Sequence, residues 1–408
     1  MKFQFVTLIL WFCAHNLSAQ ETVLVEDAVR LALTNNLQLQ AARFSVEEAS
    51  ARVRDAGRLP NPELESAFAP NIAGHEYTFT VGFNQSFPIT SRLKLEKRIS
   101  RIEVDLARAE IGDFERSLAF QVRTTAVALA TINALQTLSE NQRANSRDLQ
   151  ETIRRGAQAG EASELDLAQL ELEAGRLSLQ QVQFRAARSE LVGELSLLLG
   201  WRSASNLNFA LPPADLKFLP VEDGIQRRND FLAARHRAEA ARQNMELARA
   251  QRWHDVKVGT FTEIDRNEDA PNGLETDHIV GVRVAIPIPL WNKGRGRIAE
   301  ATAAAARAER EETALLARVQ AEMDAAAMQV RAAAEQLQFI RDDLLPKARR
   351  LEERITSFHA QGLSSFLEVL RARERRLELE SAVLIAERDH SLARARYLHA
   401  SGTTLIDR

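Results

Sequence analysis

The mature part of this 408-residue chain carries no constellation for covalent or redox chemistry. Its histidines, His75, His236, His254, His278, His359, His390 and His399, show no metal-ligand spacing, and no His-x-x-x-His pair occurs. The only cysteine is Cys13, and no phosphate loop, glycine nucleotide fingerprint or nucleophile motif is present. The sequence therefore points away from an enzyme and implies no cofactor and no metal site of its own. Two carboxylates stand out by position. Asp166 and Glu368 each fall six residues after a glycine, Gly160 and Gly362, that interrupts a long helical pattern. Carboxylates crowded together attract cations and raise one another's pKa. Isolated, each is a solvated helix charge near a turn.

Basic residues cluster as Arg92, Lys94, Lys97 and Arg98, and again as Lys293, Arg295 and Arg297. With 53 basic against 56 acidic residues the net charge is −3, so the chain as a whole is not a nucleic-acid binder. Contact with lipid phosphates or plain solvation fits these clusters better.

The elements that position these residues come in duplicate. At a constant offset of 199 residues, Val81-Gly82 matches Val280-Gly281, Pro88-Ile89 matches Pro287-Ile288, and Ala107–Glu110 matches Ala306–Glu309. A repeat of half a chain length implies a duplicated unit. The reading is a signal peptide over 1–19, a first repeat over 20–200, a linker over 201–220, a second repeat over 221–402 and a tail over 403–408. Lys2, the apolar run Phe3–Phe12 and the small residue Ala19 compose the signal. Trp11 and Phe12 precede Cys13 where lipidation expects small residues.

Within the first repeat, Val25–Arg54 reads as a helix and strands follow at 63–68 and 77–87. From Leu93 to Arg155 there is no proline and one glycine, which predicts about 90 Å of helix if unbroken. Leu165–Leu199 returns, with Leu165, Leu172, Leu179 and Leu191 compatible with a seven-residue seam. In the second repeat Val221-Glu222-Asp223 opens a helix and strands run at 256–264 and 279–286, separated by a polar loop at 265–277. A helix over about 297–358, kinked at Pro346, turns at Gly362 and returns over 366–400. The fold class is mainly α with a small β part: two repeats, each a long helical hairpin plus a two-stranded hairpin.

In the strand 77–87, Tyr77, Phe79, Val81, Phe83 and Phe87 share one face, with Thr78, Thr80, Gly82, Asn84 and Ser86 on the other. Taken alone, that alternation fits a half-buried soluble sheet. Export, the internal repeat and the lack of a long apolar helix turn the reading to strands between lipid and a wet lumen. Four strands cannot close a barrel, so several copies would have to share one. Val280, Val282, Val284 and Ile286 then face lipid, and Arg283 faces the lumen, where it would tune ion preference.

Across residues 21–402 the chain resembles the TolC family of outer-membrane efflux proteins. The resemblance rests on Pro60-Asn61-Pro62-Glu63-Leu64, on the run Ile286–Ile298 (IPIPLWNKGRGRI), on Leu344-Leu345-Pro346-Lys347-Ala348, and on Gly362–Leu370 (GLSSFLEVL). The run 286–298 is most similar to the heavy-metal, CzcC-like branch. The resemblance implies a homotrimer with a twelve-stranded barrel in the outer membrane and a periplasmic helical barrel. It further implies a periplasmic adaptor protein and an inner-membrane RND transporter as partners, alongside outer-membrane lipids. Asp166 and Glu368 would form constriction rings, and Arg371 stands where some relatives have a second acidic residue and would pair with Glu368. Gly160, Glu161, Gly362 and Leu363 would be adaptor-contact tips, and Lys94, Arg98, Lys293 and Arg297 would mark the membrane–periplasm junction. The function implied is the exit duct of a tripartite system for cations such as cobalt, zinc or cadmium. Drug or solvent efflux and type I secretion use the same fold. A periplasmic coiled-coil adaptor or scaffold is the competing reading of another class; it should lack paired amphipathic strands.

Overall fold

The computed structural model describes residues 22–72, 74–158, 164–201, 208–211, 225–269 and 273–404. The elements, in chain order, are β1 (Thr22–Val23), α1 (Val25–Asn35), α2 (Leu37–Asp55), β2 (Glu63–Pro70), β3 (Tyr77–Phe87), α3 (Arg92–Gln158) and α4 (Glu164–Leu199). They continue with β4 (Asn208–Phe209), α5 (Asn229–Ala250), β5 (Val256–Asp269), β6 (Gly273–Ala285), α6 (Arg295–Gln338), α7 (Leu345–Ala360) and α8 (Phe366–Ala400). Two compact units divide them: one draws on Ala42–Gly112 and Asn229–Ala317, the other on Met1–Ala41, Asp113–Arg228 and Arg318–Arg408.

The first unit is built on one antiparallel sheet of order β2-β3-β5-β6. The two hairpins join through β3 and β5, which pair from Tyr77↔Arg266 to Phe87↔Val256. The stretch 265–277, expected as a loop, is mostly strand: β5 runs on to Asp269 and β6 starts at Gly273. Its polar residues have partners across the ladder, with Asp265 opposite Asp277 and Thr78 donating to Asp265 at 2.8 Å. Polarity here reflects a solvated part of the sheet, and a hydrophobic pattern alone could not report it. Beneath the sheet, Ala49 of α2 packs on Val104 and Ala107 of α3 with Val46 and Val53 around them. Gly57, at φ +71°, ends this helical approach where the Leu93 carbonyl leaves no room for a Cβ.

The second unit is helical apart from a two-residue parallel pair, Thr22↔Asn208 and Val23↔Phe209, which the sequence reading placed in no element. The helix expected over 25–54 breaks at Asn36. There the buried side-chain amide donates to the Leu198 carbonyl and its oxygen accepts from Leu39 N–H, both at 2.9 Å, so α1 ends and α2 begins on one residue. The opening expected at 221–223 lies outside the described residues; the first described helical turn is a 3-10 turn at Ile225–Arg227. No separate kink is needed at Pro346. A π turn over Phe339–Leu344 joins α6 to α7 and leaves Pro346 in the first turn of α7, where a missing N–H is tolerated.

The leucine seam also differs from expectation. Leu165, Leu172 and Leu179 are exposed in the single chain, whereas Leu170, Leu177, Leu195 and Leu199 are buried. Helix α4 is apolar on two sides, so the heptad spacing is real but does not say which stripe turns inward. Within α3, an 18-residue window reaches a mean hydropathy of 1.2, higher than the sequence reading allowed, and 56% of it is buried by packing inside the chain.

Three buried arginines hold the end of α8. Arg116 donates to the His399 carbonyl at 2.8 Å, Arg123 to the Thr404 carbonyl at 2.6 Å, and Arg228 to the Ala400 carbonyl at 2.9 Å. Each guanidinium also meets an acid: Asp113 one turn earlier on the same helix for Arg116, Glu26 of α1 for Arg123 and Glu322 of α6 for Arg228. A helix C-terminus concentrates partial negative charge on unpaired carbonyls, which is where cations bind well. Arg116 also sits 3.0 Å from Nε2 of His399. Burial, and then that guanidinium, lower the His399 pKa to about 4.

Candidate functional site

The sheet sorts its side chains by register. Residues directly opposite one another share a face, so Glu65, Gly82, Phe261 and Gly281 form one row and Glu63, Asn84, Gly259 and Arg283 the next. Leu64, Phe68, Phe79, Val81, Phe83, Val280, Val282 and Val284 occupy the opposite face and are all exposed, Val280 to 79%. One face is thus polar and small, and the other is mainly apolar, with Thr260 and Thr262 between its aromatic and valine residues.

The polar face is concave. Arg283 on β6 reaches Glu65 on β2 at 3.7 Å, although β5 and β3 lie between them. Three strand spacings put those backbones about 14 Å apart, a gap that the long arginine and glutamate side chains span together over the hollow lined by Gly82, Asn84 and Phe261. Glycines give this face its close packing: a Cβ on Gly259 would strike Asn84 and the Phe83 carbonyl, and one on Gly281 would strike the Phe261 ring. That ring also carries the Arg283 guanidinium, 5.1 Å from its centroid. A second cross-sheet pair, Lys257 with Glu63, is 3.1 Å long. Further along the same face, Glu263, Asp265, Glu275 and Asp277 have no cationic partner among the described residues. The outward position expected of Val280, Val282 and Val284, and the polar-face position expected of Arg283, are what the register gives.

At the base of the sheet Arg92 bridges Glu96 and Asp255, and Arg297 donates to the Gln251 carbonyl. Arg98 pairs with Glu239 at 3.6 Å, while Lys94 and Lys293 are exposed without an ion pair among the described residues. Next to Lys293, Trp291 is 93% exposed and follows the exposed Ile288 and Leu290. Aromatic and basic residues side by side suit a membrane interface.

In the helical unit the α7–α8 turn is fully described. Gly362, at φ +74°, closes a Schellman motif: Leu363 N–H donates to the Phe358 carbonyl and Gly362 N–H to the His359 carbonyl, both at 2.9 Å. Leu363 projects from it, 72% exposed. Glu368 is occupied locally. Its N–H donates to Ser365 Oγ at 3.3 Å and its carboxylate accepts from Ser365 N–H at 3.0 Å, a complete capping box for α8. The expected pairing of Arg371 with Glu368 does not occur within one chain; Arg371 lines a groove with Glu368, Glu374 and Glu378 and has no ion pair among the described residues. Asp166 lies in the first turn of α4, and Gly160 and Glu161 fall outside the described residues. The sequence reading assigned no site role to Glu63, which it used only within the motif Pro60–Leu64, or to Glu65, Lys257 and Phe261. For the two glutamates a signal was present in the period-two pattern of Glu63, Glu65 and Ala67. Among the described residues no group of three or more His, Cys, Asp or Glu could hold a metal ion.

An exposed apolar sheet face opposite a polar one, with long paired helices in the same chain, is the build of an outer-membrane strand protein with a large periplasmic part. The chain belongs to the outer membrane efflux protein family, whose model matches residues 28–201 and 221–403. It is similar to the cobalt-zinc-cadmium resistance protein CzcC of Cupriavidus metallidurans, with 24% identity over 390 residues, 93% of this chain and 87% of that protein. Its fold matches the outer-membrane channel OprN with a TM-score of 0.78 at 17% identity, over 93% of this chain and 90% of OprN. It also matches CusC, for which conformational changes accompany folding and transmembrane channel formation. There the TM-score is 0.78 at 18% identity, over 96% of this chain and 95% of CusC. The chain is therefore an outer-membrane efflux protein.

Proposed function

We propose that the protein is the outer-membrane exit duct of a tripartite efflux system and that its cargo is heavy-metal cations of the cobalt, zinc and cadmium type. The observation that carries the duct reading is the two-faced sheet with both edge strands open. In hydrocarbon, unpaired N–H and C=O groups on β2 and β6 would each cost several kcal/mol, so neighbouring copies must pair them. Three copies of four strands make a twelve-stranded barrel. The exposed stripe of Leu165, Leu172 and Leu179 supplies an apolar face for lateral helix packing in the same trimer.

The cation cargo rests on the similarity to CzcC along 93% of the chain. In this reading a periplasmic adaptor docks at the tips, Gly160, Glu161, Gly362 and Leu363, and an inner-membrane RND pump loads the duct. Asp166 and Glu368 line the constriction, with Arg371 free to pair between subunits. Lys94, Arg98, Lys293 and Arg297 lie at the membrane–periplasm junction. A deletion strain challenged with two panels tests the cargo. One holds cobalt, zinc, cadmium, nickel, copper and silver; the other holds dyes, detergents and antibiotics. Selective loss of metal tolerance is expected. Selective drug sensitivity would keep the duct and remove the metal assignment.

A further inference from the structure

The charges on the concave sheet face are not evenly distributed. Near its base, each base has an acid: Lys257 with Glu63 at 3.1 Å and Arg283 with Glu65 at 3.7 Å. Toward Asn267 of β5 and Leu274 of β6 the charged residues of this face are acids, Glu263, Asp265, Glu275 and Asp277. Arg283 is thus the guanidinium a cation must pass before it meets these four acids. It is held in place on two sides, by the Phe261 ring beneath it and by Glu65 across the trough. An unneutralised guanidinium there would be repeated in every subunit and would raise a barrier to cations. We propose that Glu65 is a specificity-determining residue of the pore: by neutralising Arg283 it keeps this belt passable to cations.

The inference rests on the duct reading, and its test separates the two. The purified full-length trimer, in planar bilayers under a salt gradient, gives a conductance and a cation-over-anion permeability ratio. Absence of conductance from the wild type would overturn the duct reading itself. With conductance present, Glu65→Gln should lower the ratio by about threefold or more at 0.1 M salt, and Arg283→Gln should raise it. The double variant E65Q/R283Q removes both charges and should return the ratio close to wild type. All three differences should shrink at 1 M salt, where the screening length falls to about 3 Å. If Glu65→Gln disturbs assembly, Arg283→Gln and the double variant still decide. An unchanged ratio in Arg283→Gln, or shifts of the same sign in both single variants, overturns the inference.

Discussion

Replacing Glu368 by Gln and by Ala separates two jobs that its position combines. The carboxylate accepts from Ser365 N–H and completes the capping box of α8, and the same charge would face the constriction. Gln retains an acceptor for the Ser365 N–H but no charge; Ala retains neither. A hydrogen bond of this kind contributes about 1 kcal/mol net, and a carboxylate at a helix N-terminus about 0.5 kcal/mol more. The first turn of α8 should therefore loosen by about 1.5 kcal/mol in Glu368→Ala and by about 0.5 kcal/mol in Glu368→Gln. Amide exchange over 366–369 would speed up about tenfold and about twofold respectively. Conductance should rank the variants differently. Both remove one negative charge per subunit, so both should weaken cation preference to the same extent at 0.1 M salt, and less at 1 M. Reversal potentials in a salt gradient measure this. If Glu368→Gln keeps the wild-type preference while Glu368→Ala loses exchange protection and metal tolerance, Glu368 is a cap, and the reasoning that makes it a gate fails.

Three further outcomes follow from the packing. Arg123→Met removes a bidentate pair with Glu26 and the donor to the Thr404 carbonyl from a buried site. That should cost about 3 kcal/mol and speed amide exchange at the end of α8 about a hundredfold, with Arg123→Lys intermediate because it keeps charge but not the fork. His399 has a folded pKa near 4, below its unfolded value, so between pH 6.5 and 4 the unfolded chain binds the proton and the native chain does not. Stability is then present above pH 6.5 and lost as pH falls through that window. After allowing for partial exposure, the loss is about 1 kcal/mol from pH 7.5 to 5, and thermal melts of His399→Gln should show a flatter pH dependence. Gly259→Ala places a Cβ against Asn84 and the Phe83 carbonyl between two central strands. It should lower the temperature at which the trimer dissociates on a gel, and a wild-type melting profile would contradict the tight trough.

Much of the scaffold was legible because local signals agreed. The span of α8 was readable from the turn at Gly362 and the unbroken helical run that follows it, and β3 was readable as Tyr77–Phe87 from its strict alternation. What could not be read depends on distant partners. The residues between Asp265 and Asp277 look like a loop until their opposite numbers in β3 and β6 are known. Arg116, Arg123 and Arg228 look like ordinary helix charges, because the carbonyls they hold lie up to 283 residues away. The leucine heptads of α4 gave a spacing but not the inward stripe. At the site, Arg283 could be placed on its face by parity, whereas its bond to Glu65 depends on the strand order and register of all four strands. The position of Glu368 was clear from its distance to Gly362, but its bond to Ser365 was not.

The central claim is that metal cations leave the cell through this protein. Cells loaded with cobalt, zinc or cadmium and then transferred to metal-free medium would report it directly, comparing the deletion strain with the strain carrying the restored gene. The account predicts slower loss of metal in the deletion strain, with the retained metal recovered from the periplasm and the cytoplasm, and dye efflux unchanged. Equal metal loss in the two strains, with dye efflux slowed by the deletion, would contradict it.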